Sequence, residues 1–116
     1  MIAQGEIYWV DFGDKYNSEF GKIRPALIIQ SDTINALLDE MQYKSVAVIP
    51  LSTQLVKGAF FRVFVAPREA LEKPSDIVCN WVCTVDFARI DTSVCLTRLE
   101  PMELESVKAK LAYLVE

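Results

Sequence analysis

Histidine is absent from this chain. The side chain that most often moves protons near neutral pH is therefore unavailable, so acid–base chemistry falls to carboxylates, amines and hydroxyls. Zinc sites of the Cys/His type are disfavoured for the same reason, because Cys79, Cys83 and Cys95 lack the spacing of a ligand set. An odd number of cysteines gives no disulfide framework, and the three read as small core residues. Glycine is scarce, four in 116 residues, and there is no glycine-rich phosphate loop or nucleophile elbow. No apolar run approaches the ~18 residues of a membrane span. The opening residues, Met1 to Glu6, lack a basic start and an apolar stretch, so the expected location is the cytoplasm. Positive charge is in deficit: 12 Lys and Arg face 16 Asp and Glu, a net charge of −4. A broad, non-specific grip on nucleic acid needs the opposite balance. Any nucleic-acid site must be a local basic pocket on an acidic body.

What the chain does have is apolar residues, 52% of the total. Its length predicts one domain spanning 1–116, without repeats or linkers. Short chains bury a smaller fraction of their surface, so part of this apolar content is expected at a homodimer interface. Residues 5–12 are aromatic and β-branched and read as a strand. Residues 13–22, with two glycines, an Asn and several charges, read as a loop. Arg24-Pro25 opens a second strand through Gln30, proline being tolerated where no ladder donor is needed. Ser31 reads as a helix cap, with a short turn of helix over Ile34 to Leu38. A third strand, Ser45 to Leu51, is expected to stop near Pro50. A fourth covers 60–65, and one helical turn is a reading of 67–74. Further strands are expected at 76–79, 85–90 and 94–98. Pro101 fits the first position of a helix, and Leu104, Val107, Leu111 and Leu114 form one apolar stripe along it. The expected fold class is mostly β (α+β): a small barrel or sandwich closed by an amphipathic helix.

Composition nominates no active site, so candidates come from placement. Glu19 lies in the polar loop, Arg24 follows it at a strand mouth, and Ser52-Thr53 lie just past the third strand. If the second and third strands are neighbours, these groups converge at one end of the sheet. Each also has an ordinary structural reading. A strand-start Arg and a loop Glu are commonly solvated, Ser-Thr after a strand commonly bonds nearby backbone, and Trp9 and Trp81 suit core or interface packing.

The order of the segments carries more. Gly5-Glu6-Ile7-Tyr8-Trp9-Val10-Asp11, Ser18-Glu19-Phe20-Gly21-Lys22-Ile23-Arg24-Pro25 with Asn35 following, Val48-Ile49-Pro50-Leu51-Ser52-Thr53-Gln54 and Cys83-Thr84-Val85-Asp86 resemble, in order, the segments of MazF/PemK-type toxins. The resemblance runs over essentially the whole chain. It implies an SH3-like barrel of the CcdB/PemK type, a homodimer, and metal-independent, sequence-selective cleavage of single-stranded RNA without a cofactor. It also implies a partner antitoxin whose acidic tail lies over the active site. The catalytic Arg and Thr of the family map onto Arg24 and Ser52. Glu19 maps onto a residue beside the site and is the candidate base. Ser18, Lys22, Thr53, Gln54 and Asn80 are the expected RNA contacts. The chain departs from the family where Gln and Arg are replaced by Trp81 and Cys83, and where Val78 and Asn80 stand at the acid/base positions of the PemK-like branch. An Arg24/Ser52 mechanism survives these changes; a PemK-style one does not. A relative that binds RNA or antitoxin with weakened catalysis is the alternative that these changes motivate. CcdB-like gyrase inhibition is disfavoured, because Tyr113-Leu114-Val115-Glu116 does not match the Trp-Gly-Ile tail those inhibitors use.

Overall fold

The computed structural model describes residues 1–13 and 22–116. Eight short strands and two α-helices follow one another: β1 (Glu6–Asp11), β2 (Ile23–Ile28), α1 (Asp32–Asn35), β3 (Ser45–Ser52), β4 (Arg62–Val65), β5 (Ser75–Val78), β6 (Cys83–Asp86), β7 (Ile90–Asp91), β8 (Thr97–Arg98) and α2 (Pro101–Val115). All strand pairs are antiparallel. The path is β4-β5-β3-β2-β1-β7, with β6 also on β3 and β8 also on β1. Among the described residues its two ends do not pair, so the expected barrel is an open sheet.

The central strands are buried on both faces. In β2 and β3 the residues Leu27, Ile49 and Leu51 pack into one core with Ile7, Ile77, Leu96 and Val107. Their neighbours Ala26, Ile28, Val46 and Val48 pack into a second core with Tyr8, Val10 and Ile90. This is why the sequence there reads as continuous apolar runs and not as clean alternation. The helix α2 covers the first core through Val107, with Leu104 and Leu111 beside it. Leu114 of the expected stripe is exposed.

Several boundaries differ from expectation. β3 does not stop at Pro50 but runs to Ser52. It pairs β6 through Val48 and β5 from Leu51. Position 50 falls in the gap between these partners, on the side where its missing N–H would point, so the proline costs no ladder bond. Residues 67–74 form no helix; Arg68 and Leu71 make a lone antiparallel bridge. The segment expected as one strand over 85–90 is β6, a 3-10 turn at Phe87–Arg89, then β7. The Asp86 side chain, accepting from the Ala88 N–H at 2.8 Å, starts that turn. Ser31 caps α1 as expected, accepting from the Ile34 N–H at 3.3 Å. Asn35 is buried, its amide bonded to Gln30 and Asp32. Of the cysteines, Cys79 is a core residue, but Cys95 is exposed.

The start of α2 is tied down by charge. Pro101 occupies the first turn, and Glu100 and Glu103 form a capping box. Arg68 donates both Nη atoms to Glu103 at 2.9 and 2.8 Å, and its Nε to the Thr97 hydroxyl at 3.1 Å. This holds the 66–71 segment against the helix. Burial alone would raise the Glu103 carboxyl pKa, but the bonds from Arg68 and the Glu100 N–H bring it below its ordinary value. A depressed carboxyl contributes stability above its unfolded pKa of ~4.3 and loses it as pH falls through the lower folded value. Acid unfolding should therefore be steeper below about pH 4.5 in the wild type than in Glu103→Gln. Urea midpoints measured from about pH 6 to pH 3 would show this, and parallel curves would rule it out.

Candidate active site

The first core opens to solvent at one end of the sheet. There Trp9, Pro25 and Leu51, the residues that follow Ile7, Leu27 and Ile49 in the register, line a cleft of about 450 Å³. Its other walls come from Lys22, Ile23 and Arg24, from Ser52, Thr53 and Gln54 at the end of β3, and from Ala70 to Lys73 and Ser75. Lys22, Arg24 and Lys73 oppose Glu72 alone. An acidic chain thus carries a locally cationic cleft.

Arg24 and Ser52 reach this cleft through strand pairing. Ala26 faces Pro50 across β2 and β3, and the same register carried two residues on puts Arg24 opposite Ser52. The Arg24 Nη1 donates to the Leu51 carbonyl at 3.4 Å. Among the described residues its buried Nε has no hydrogen-bond partner. Burial pulls the guanidinium's pKa below its ordinary value. A desolvated cation with an unmatched donor is costly, and an anionic oxygen would satisfy it.

Ser52 is nearly buried. Its hydroxyl accepts from the Gln54 N–H at 3.1 Å and donates to the Gln54 carbonyl at 3.4 Å, so the ordinary strand-end role is present. That carbonyl also accepts from Arg62 Nη1 at 2.8 Å. The serine proton can therefore be redirected to a ligand while the carbonyl keeps its shorter bond. Arg62 in turn pairs with Asp76 at 3.1 Å and lies over the Trp81 ring.

Of the residues expected from sequence, the cleft brings together Arg24, Ser52, Lys22, Thr53 and Gln54. Asn80 is exposed on the 3-10 turn Cys79–Trp81 and is not part of the lining. Ser18 and Glu19 lie outside the described residues. Glu72 and Lys73 line the cleft without having been singled out, and Trp9, read as core or interface packing, lines it half-exposed. Lys73 carried no signal beyond its charge. Among the described residues no group of three or more Cys, Asp or Glu side chains could hold a metal ion, and no helix is long and apolar enough to cross a membrane.

Comparison with known proteins fits this geometry. The family model described as PemK-like, MazF-like toxin of type II toxin–antitoxin system matches residues 3–115. Endoribonuclease MazF6 of Mycobacterium tuberculosis is 34% identical over 93 residues, covering 78% of this chain and 76% of that protein. Endoribonuclease EndoA of Bacillus subtilis is 25% identical over 114 residues, covering 96% and 91%. The crystal structure of MazF from Deinococcus radiodurans superposes with a TM-score of 0.75 at 21% identity, over 98% of this chain and 96% of that one. A mycobacterial endoribonuclease in complex with its cognate antitoxin superposes at 0.71 and 17% identity, over 97% and 93%. The chain belongs to the family of PemK-like, MazF-like toxins of type II toxin–antitoxin systems.

Proposed function

We propose that this protein is a metal-independent endoribonuclease that cleaves single-stranded RNA in the cleft at this end of the sheet. The observation that carries the reading is Arg24: a partly buried guanidinium at the wall of a cationic cleft, with a buried Nε unpartnered among the described residues, in the same lining as Ser52. In the reaction the 2′-oxygen forms a bond to the adjacent phosphorus, the bond to the 5′-oxygen breaks, and a cyclic phosphate and a 5′-hydroxyl remain. The 2′ proton goes to a base, and the departing 5′-oxygen takes up a proton. Negative charge gathers on the non-bridging oxygens, where a guanidinium can hold two at once. Arg24 acts through charge, since a guanidinium stays protonated in proteins and is a poor proton donor. Ser52 donates to the same phosphate, and Glu19 is the candidate base. Lys22, Thr53 and Gln54 contact the RNA from the cleft wall, and Ser18, outside the described residues, is kept as a further expected contact. The half-exposed Trp9 offers a face for a base to stack on. Asn80 would meet only a strand that extends beyond the cleft.

The protein is further read as a cytoplasmic homodimer, restrained by an antitoxin whose acidic segment lies on Arg24 and Lys22. Purified protein should cut a long single-stranded RNA in EDTA, leaving mapped ends at one short motif. An intact RNA pool, presented to well-folded protein and covering many motifs, would sink the reading. Beside it, Ser52→Ala should lower kcat/KM by about 10–100-fold, the value of a hydrogen bond to a charged group. Ser52→Thr should keep most of the activity, because it keeps the hydroxyl. Equal activity of Ser52→Ala and wild type would remove Ser52 from the mechanism.

A further inference from the structure

We propose that Pro25 is the residue that positions Arg24, by withholding a backbone N–H from the Leu51 carbonyl. The claim rests on the nuclease reading for its importance, but its geometry stands apart from it. At the two ends of β2, the Lys22 carbonyl accepts from the Phe12 N–H and the Ile28 carbonyl from the Gly5 N–H, both towards β1, while the Ile29 N–H donates to the Ala47 carbonyl of β3, so even residues of β2 face β1 and odd ones face β3. Antiparallel ladders keep that alternation. Residue 25 therefore stands in a bonded position opposite Leu51, one step beyond the Ala26–Pro50 pair. With any other residue there, its N–H would donate to the Leu51 carbonyl. Proline has none. The carbonyl is instead met by Arg24 Nη1, at 3.4 Å.

This has a consequence for the site. A long, free guanidinium loses much rotamer entropy on ordering. Tethered by one Nη to a β3 carbonyl, it is held against the strand that carries Ser52, while the Nε edge stays available. The tether exists because the ladder is one donor short at that point.

The test compares Pro25→Ala with Pro25→N-methylalanine, the latter made by cell-free synthesis. Both lack the proline ring; only alanine supplies the N–H. In Pro25→Ala the new N–H takes the Leu51 carbonyl, so kcat should fall by about tenfold or more with KM changed less than about threefold. N-methylalanine should restore kcat to near the wild-type value. The second readout needs no RNA: with 15N-labelled arginine, the Arg24 side-chain N–H signals should be slow to exchange in wild type and N-methylalanine protein and fast in Pro25→Ala. Unchanged signals in Pro25→Ala, or signals lost equally in both variants, would overturn the proposal. If the wild type failed to cleave RNA, the nuclease reading would fall, and the exchange data would still decide what Pro25 does.

Discussion

Arg24→Ala is expected to reduce RNA cleavage by at least about 10²–10³-fold, the cost of losing one preorganised donor to developing negative charge. The charge and fork of a guanidinium place the loss at the upper end or beyond. The same variant should fold as well as the wild type or better. Arg24 is partly buried, and among the described residues its Nε is unpartnered and Nη1 makes one long bond, so its removal relieves a desolvated cation. Loss of activity without loss of stability is the signature of a residue held for function. Arg24→Lys should recover little, because a point charge cannot reproduce two-oxygen recognition. Cleavage rates in EDTA together with thermal midpoints would check both halves. An active Arg24→Ala would end the proposed mechanism. An inactive but markedly destabilised one would show that Arg24 supports the fold.

The largest stability effect is expected at Asp76. This carboxylate is only 4% exposed, and it accepts from the Val56 N–H at 3.0 Å and from Arg62 at 3.1 Å. It joins β5 to the 53–61 segment, which carries the Thr53 and Gln54 wall of the cleft. Asp76→Ala leaves the Val56 N–H without its acceptor and Arg62 without its counter-charge. Breaking a buried pair from one side costs about 3–5 kcal/mol. The lower end applies, since Arg62 keeps the Gln54 carbonyl and the Trp81 ring. Asp76→Asn keeps an acceptor and should cost only about 1–2 kcal/mol. Urea unfolding would show the order wild type, Asn, Ala in midpoint. A shift under about 1 kcal/mol for Asp76→Ala would mean that the pair is not structural.

Both predictions concern one side of one cleft, and the sequence disclosed its two halves unequally. Arg24, Ser52 and Thr53 were legible because they flank two consecutive apolar strands, and Lys22 and Gln54 through the family resemblance. Antiparallel pairing of consecutive strands turns that order into proximity. Asp76 and Arg62 were not legible. They lie 14 residues apart, and neither sits in a pattern that marks it as buried. The cleft positions of Trp9 and Lys73 were not legible for a related reason: they enter the cleft from elements whose docking depends on the whole sheet.

Most of the strands, the C-terminal helix with its proline start, the local character of any basic site on an acidic chain, and the family were readable from the chain. These follow from periodicity, turn chemistry, charge count and ordered motifs, which are properties of the chain alone. That β3 runs through Pro50 emerged only from the folded sheet, because a proline's missing donor matters only relative to the partner it would have faced. For the same reason only the structure could pair Pro25 with the Leu51 carbonyl, and so give Arg24 its tether. Hydrogen-bond partners across a sheet are set by register, and register is a relation between segments that no single segment contains.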